Sequence, residues 1–358
     1  MTHFMEAVLE KNVRVKPLRS LSKQSGVNKF IHSFSEGIDS DYFEWIETIK
    51  LDDLKPISSE MLGLANSHRL NDVPRINKFL EKANSSLNKG DYLLVCIETK
   101  DSRKTRILNK FPRVISYPYY ILDFLLKRVF PKWKVTKKIY FWITKGRNRV
   151  ISLTEGLGRL VSCGFKIVGY QRIGYLTYIL TKKNSDPVYD MEPTYGPLVR
   201  LKRIGKNEDL FTVYKLRTMH PYSEYLQEYV FSNNNLQEGG KFKDDFRVTG
   251  WGKLFRKLWI DELPMFVNFF KGQMKLVGVR PLSSHYFSLY PEDLQQLRTQ
   301  VKPGLVPPFY ADLPKTLPEI IESERVYLQS YLKNPISTDV KYFFKAMYNI
   351  FVKRAHSN

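Results

Sequence analysis

Two adjacent carboxylates, Asp261 and Glu262, head the run Asp261-Glu-Leu-Pro-Met-Phe-Val-Asn-Phe-Phe-Lys-Gly272. The spacing predicts a helix beginning there. Asp261 takes the N-cap position, Pro264 falls in the first turn, where a missing N–H is harmless, and Gly272 closes the helix. An acid at that cap faces free N–H groups and the positive helix end, so it is expected to be ionised at neutral pH. Such a carboxylate can attack phosphorus, and Glu262 can hold a magnesium ion (Mg2+) that neutralises a diphosphate being cleaved. The plainer alternative is a capping and dipole pair without chemistry, and two residues alone leave both open.

Cations that suit such chemistry lie upstream. Val199 to Asn207 reads as a basic strand entering a turn, and Leu210 to Met219 as a strand whose alternation puts Lys215 and Arg217 on one face. An arginine fork matches two phosphate oxygens at once, so the pair suits a diphosphate, with a solvated strand face as the alternative. Between this strand and the carboxylates, Leu254 and Leu258 mark a short amphipathic helix.

Positioning these elements takes only part of the 358 residues, and that length predicts two domains. The polar, proline-bounded stretch 184–193 separates a first α/β domain, 41–183, from a second, 194–358, and residues 1–40 read as a loosely ordered polar lead-in. A net charge of +21 calls for an anionic partner: nucleic acid, an anionic membrane surface or phosphorylated substrates. The cations are spread along the whole chain and no nucleic-acid reader motif is present, which counts against nucleic acid. Cys96 and Cys163 read as small core residues, and none of the six histidines has a metal-ligand spacing. With no signal peptide and no apolar run of membrane-spanning length, the expected location is cytoplasmic.

In the first domain, Val73, Ile76, Phe79, Leu80 and Ala83 stand at helical spacing within the stretch from Leu62 to Leu87. A buried strand is expected over 91–99, a helix over 154–163 ending at Gly164, and strands over 165–170 and 175–181. This order resembles the back half of a class I methyltransferase, a Rossmann-like fold. No glycine-rich cofactor turn occurs in residues 1–60, so the resemblance implies a degenerate structural relative that does not bind adenosylmethionine.

The second domain carries an ordered series: Lys215-x-Arg-Thr-Met219, Asp245-x-Arg-x-Thr-x-x-Gly252, Asp261-Glu-Leu-Pro264, then Asn268-x-x-x-Gly-x-Met-x-Leu-Val-Gly-x-Arg-Pro281. From about Pro193 onward this resembles the α+β catalytic domain of bacterial sugar transferases, the monotopic phosphoglycosyl transferases. The resemblance implies a sugar-1-phosphate transfer from a nucleotide diphosphate sugar, a UDP-sugar, to a polyprenyl phosphate. It makes Asp261 the nucleophile, Glu262 the magnesium-binding partner, and Arg280, Pro281 and Arg217 parts of the donor-phosphate site beside Lys215.

Three departures stand out. Val279 replaces the proline of the family's V-G-P-R-P, and Leu305 to Asp312 replaces its usual continuation after K-P-G. The apolar re-entrant helix that precedes this domain in the family is missing, with a strand and a charged linker over Tyr175 to Glu192 instead. Tyr117 to Trp133 and Asp339 to Arg354 are each read either as helices lying in a membrane interface or as ordinary helices packed on a core. Attachment is expected to be peripheral, on the inner face of the cell membrane. The competing function is a catalytically weak, nucleotide-sugar-binding scaffold.

Overall fold

Tyr92–Ile97 contains no charged side chain, and all six residues are buried, as befits the central strand of a sheet covered on both faces. The computed structural model describes residues 21–352 apart from 36, 190–194, 234–235, 238–240 and 243–244. The chain divides into two compact units, one reaching Tyr195 and including Pro221–Tyr229, the other formed by Gly196–His220 and the chain from Val230.

The first unit is a mixed α/β layer. Its elements run α1 (Leu21–Phe34), β1 (Phe43–Ile46), β2 (Gly63–Arg69), α2 (Ile76–Ser85), β3 (Tyr92–Ile97), α3 (Lys100–Lys110), α4 (Arg113–Phe124), α5 (Lys134–Thr144), α6 (Leu153–Ser162), β4 (Phe165–Ile173) and β5 (Leu176–Lys183). The sheet order is β1-β2-β3-β5-β4. The first three strands are parallel, β5 runs antiparallel to β3, and β4 antiparallel to β5.

Two expectations fail here. The polar lead-in is a helix over Leu21–Phe34, because Val27, Phe30 and Ile31 form an i, i+3, i+4 stripe that is buried against the sheet. Residues 1–20 lie outside the described residues. The stretch from Leu62 opens as a strand, not a helix, and α2 is confined to Ile76–Ser85. Pro74 accounts for the late start, since the residue before a proline is pushed out of the helical region.

Past β3 the interior is polar. Glu98 is buried and takes hydrogen bonds from Arg69, Arg103 and Arg106. Arg103 also forks onto Asp123 of α4 at 2.6 and 2.9 Å, and Lys127 joins it at 2.6 Å. Carboxylates this well bonded resist the penalty of burial, and the Arg103 and Lys127 bonds hold Asp123 below the usual carboxylate range although burial pushes it up.

Segment Pro221–Tyr229 completes this unit. The Tyr222 ring lies 4.4 Å from the Arg159 guanidinium of α6, and its hydroxyl accepts from Asn77 at 2.9 Å and bonds Tyr195 at 2.8 Å. A Cβ on Gly158 would sit 2.2 Å from the Tyr222 carbonyl oxygen, so only glycine admits this approach. Both cysteines are buried and free.

The second unit begins with the antiparallel hairpin β6 (Leu198–Ile204) and β7 (Leu210–Leu216), and holds a two-residue pair, β8 (Leu236–Gln237) with β9 (Lys241–Phe242). There follow α7 (Gly250–Lys257), a 3-10 helix (Ile260–Met265), α8 (Phe266–Phe270) and β10 (Lys275–Val277). Then come α9 (Glu292–Thr299), β11 (Gly304–Val306), α10 (Phe309–Asp312), α11 (Leu317–Lys333) and α12 (Pro335–Phe351), with β10 and β11 parallel. Leu294, Tyr310, Tyr327, Leu328 and Ala346 are among the buried residues of its main core. The Asp339–Arg354 stretch falls between its two readings. Phe343 and Met347 pack on that core while Phe344 and Phe351 are exposed, and Arg354 lies outside the described residues.

Candidate active site

The carboxylate pair sits on a turn whose backbone is under strain. Trp259 precedes it with φ +60°, a left-handed conformation costly for a bulky residue. The Trp259 ring is held 4.2 Å from Tyr310, which lies in the Leu305–Asp312 segment. From there the chain tightens into the 3-10 helix Ile260–Met265, which places Asp261 inside the first turn. Asp261 is therefore not the helix cap expected from sequence; Trp259 holds that place, without a side-chain capping bond.

The direction of the Asp261 pKa shift is opposite to that expected of a capping acid. Asp261 is buried, and its Oδ1 has no hydrogen-bond partner. Burial, then the neighbouring Glu262 charge, raise its pKa above the ordinary aspartate value, while Lys215 and Arg256 pull it back. Glu262 is partnered: Lys215 Nζ donates to its Oε1 at 2.6 Å. Burial draws the Lys215 ammonium below its usual range, with the Glu262 carboxylate opposing and Arg280 assisting.

Asn268 fixes β7 against the dyad. Fully buried, it accepts from the Tyr214 amide at 3.3 Å and donates to the Thr212 carbonyl at 2.7 Å and to Gln273 at 2.9 Å. Met265 packs with Phe211, Val213 and Met274 under the same strand. Lys215 thus faces Glu262 because strand and turn share a bonded asparagine and a small apolar cluster.

Arg280 follows β10. Its carbonyl accepts from Arg298 Nη2 at 2.5 Å, its side chain is exposed, and its charge is felt at Lys215, Arg203 and Arg256. The parallel pair beneath it requires two glycines. A Cβ on Gly304 would lie 2.1 Å from the Gly278 nitrogen, and one on Gly278 would lie 2.8 Å from the Gly304 nitrogen. Pro281 is buried beside Arg280. Arg217 follows the last residue of β7, and its Nε donates to the Gly196 carbonyl at 2.8 Å.

Two cations escaped the sequence reading. Arg256 of α7 donates to Thr218 Oγ1 at 3.0 Å, and the Asp261 charge supports it against a burial penalty. Arg203 of β6 is drawn down by burial and by Arg280. Their signal was available as arginines on elements beside the motifs, though only tertiary packing shows that they converge. Asp245 and Arg247 are joined by three side-chain bonds, the shortest 2.7 Å.

Among the described residues no group of three or more His, Cys, Asp or Glu side chains could hold a metal ion. Two carboxylates remain, Asp261 with an unpartnered buried oxygen and Glu262 bonded at one oxygen. That donor set fits magnesium, which commonly takes one or two protein carboxylates and completes its shell with water and substrate phosphates. Around the dyad, Leu263, Phe266 and Phe270 are exposed apolar side chains.

Residues 189–353 match the family model described as Bacterial sugar transferase. Galactosyl transferase CpsE of Streptococcus agalactiae is 39% identical over 113 residues, 31% of this chain and 25% of that protein. The uncharacterized sugar transferase EpsL of Bacillus subtilis is 41% identical over 103 residues, covering 29% and 45%. The undecaprenyl-phosphate galactose phosphotransferase of Salmonella typhimurium is 29% identical over 178 residues, covering 48% and 34%. The chain thus spans less than half the length of each of these relatives. A solved SAM-dependent methyltransferase of Thermotoga maritima is similar to 37% of this chain and 59% of its own at 18% identity, with a TM-score of 0.23, too low to bear on the fold.

Proposed function

With residues 189–353 matching the family model described as Bacterial sugar transferase, we propose that the chain transfers a sugar-1-phosphate from a nucleotide diphosphate sugar, a UDP-sugar, to a polyprenyl phosphate through a phosphosugar intermediate on Asp261. The observation that carries the reading is the buried, unpartnered Asp261 oxygen beside a lysine-bonded Glu262 and within the field of Lys215 and Arg256. A buried carboxylate oxygen without a partner loses roughly 1–3 kcal/mol of hydrogen bonding, a penalty justified where that oxygen must be bare to react.

In the first half-reaction an Asp261 carboxylate oxygen attacks the sugar-bearing phosphorus. The bond from that phosphorus to the bridging oxygen breaks, and the nucleoside monophosphate leaves with the bond's electron pair. In the second, a phosphate oxygen of the lipid attacks the same phosphorus and releases Asp261 as a carboxylate. Lys215 and Arg280 stabilise the charge that builds on the diphosphate, and Arg256 holds Asp261 ionised. Magnesium, held by Glu262 with Asp261 at hand, would supply further charge neutralisation at the diphosphate. A shared site used in turn reconciles a hydrophilic donor with a lipid acceptor.

The acceptor implies work at a membrane, on the inner face where nucleotide sugars are found. No helix among the described residues is long and apolar enough to cross one, and we read the contact as peripheral. The exposed Leu263, Phe266 and Phe270 give a lipid chain apolar surface beside the dyad. For the first unit, three parallel strands followed by an antiparallel pair support the reading as a structural relative of methyltransferases without their cofactor loop.

The deciding experiment incubates the purified chain with a panel of nucleotide sugars and magnesium and weighs it intact. A phosphosugar mass added to the wild type and missing from Asp261→Asn is expected; a chain of unchanged mass that still turns over would refute the covalent route.

A further inference from the structure

Helices α4 and α5 are amphipathic in the reverse sense. The side of α4 turned into the protein carries Ser116 and Asp123, followed by Arg128 in the π-helical turn after it, all buried. The opposite side presents Val114, Ile121, Leu122 and Leu125 to solvent, with Val114 86% exposed. In α5 the buried residue is Tyr140, while Val135, Ile139, Trp142 and Ile143 face outward, Trp142 at 83% exposure. The spacing i, i+7, i+8, i+11 from Val114 through Leu125 of the following turn, and i, i+4, i+7, i+8 from Val135, keeps each set on one helical face. A helix of a water-soluble surface turns such a stripe inward. Here the inward side is reserved for the bonds of Asp123 to Arg103 and Lys127 and of Arg128 to Glu155.

Charge indicates what covers the stripe. Residues 102–150 hold fourteen lysines and arginines against a single acid, Asp123, which is itself buried. Lys104, Arg113, Lys137, Lys138 and Lys145 are exposed alongside the apolar residues. A second copy of the chain would bring like charge against like charge. An anionic bilayer accepts both features at once: aromatic and aliphatic side chains enter the headgroup boundary while lysines reach the phosphates.

We propose that α4 and α5 form a membrane-docking surface of the first unit, in which Val114, Leu122, Val135 and Trp142 insert into the interface of an anionic bilayer and the surrounding lysines bind its phosphates. The proposal rests on the reading that the chain works peripherally at a membrane. It makes the first unit a part of the chain that holds it at the bilayer.

The test is sedimentation of the full chain with vesicles of equal parts phosphatidylglycerol and phosphatidylcholine, compared with phosphatidylcholine alone. Wild type should bind the anionic vesicles, and Leu122→Ser/Trp142→Ser should lose at least ~10-fold in partition, since two large side chains no longer insert. Lys137→Gln/Lys138→Gln should bind more weakly and with a shallower salt dependence. Turnover with a short polyprenyl phosphate dissolved in detergent should be unchanged in both variants. Equal vesicle binding by wild type and Leu122→Ser/Trp142→Ser would overturn this surface and leave peripheral attachment to another. A wild type that ignores vesicles yet turns over the dissolved acceptor would overturn the surface and spare the transferase reading. A wild-type dimer made monomeric by Leu122→Ser/Trp142→Ser would assign the stripe to self-association and also overturn the proposal.

Discussion

Replacing Lys215 with methionine removes the one cation bonded to Glu262 while keeping most of the side chain's volume. The two side chains retain 18% and 15% exposure, so the pair lies between surface ion pairs, worth at most ~1 kcal/mol, and buried ones, whose rupture costs about 3–5 kcal/mol. Lys215→Met should therefore destabilise the second unit by about 2 kcal/mol, a fall in Tm of roughly 6 °C for a domain of this size. Most of that cost is the orphaned Glu262 charge, so Lys215→Met/Glu262→Gln should recover more than half of it in thermal denaturation followed by circular dichroism. A second reading comes from pH. Lys215 is among the charges that oppose the upward shift of Asp261, so its loss raises that pKa further. Adduct formation needs the carboxylate ionised, and its acid limb should then move to higher pH. A double variant as unstable as the sum of its parts, together with an acid limb that stays in place, would refute the coupling.

Asp261→Asn should abolish the phosphosugar adduct, lowering turnover by at least ~10³-fold, as removal of a nucleophile does. Because the folded state raises the Asp261 pKa, ionising it disfavours the fold, and that loss is regained as pH falls through the raised value. The same variant should thus match or exceed wild-type Tm above that window, and a clear drop in Tm there would contradict the assignment. Gly304→Ala forces a Cβ to 2.1 Å from the Gly278 nitrogen and should cost about 3 kcal/mol in urea unfolding while weakening donor binding through Arg280. Arg256→Gln should slow adduct formation by about 10²-fold and leave Tm nearly unchanged, which stopped-flow mixing with intact-mass detection can check. High-salt washing should release much of the chain from membranes without detergent, because contacts between lysines and anionic lipid are screened. Retention through salt and alkaline washing would argue for an integral anchor.

Short-range order brought Asp261, Glu262, Lys215 and Arg280 forward as candidates, because they lie in contiguous motifs whose spacing is itself informative. The state of Asp261 was not legible. Pro264 and Gly272 mark a helix, but nothing local reveals that the chain turns left-handed at Trp259 and tightens into a 3-10 helix, which moves the carboxylate off the cap. The strand end was also hidden: alternation was read through Arg217, but β7 stops at Leu216. Arg203 reaches the site from a separate strand, information that exists only after packing. For α4 and α5 the 3.6-residue period gives an apolar face but not its direction. The buried partners of Asp123 decide which side points inward, and Arg103 and Lys127 flank that helix in sequence without announcing it.

Tyr222 and its neighbours bear on how the protein is made. Pro221–Tyr229 belongs to the first unit although β6 and β7 of the second precede it in the chain. On a ribosome, the sheet of the first unit is complete once β5 has emerged, but the niche formed by Gly158, Arg159, Asn77 and Tyr195 stays open until about forty more residues follow. That niche contains a guanidinium and a glycine flank shaped for a tyrosine, so the nascent unit waits in an unfinished state while β6 and β7 are being synthesised. Truncation at the polar stretch 184–193 would therefore strip the first unit of part of its own interior, and a domain boundary suitable for expression lies beyond Tyr229 or requires that segment to be supplied separately.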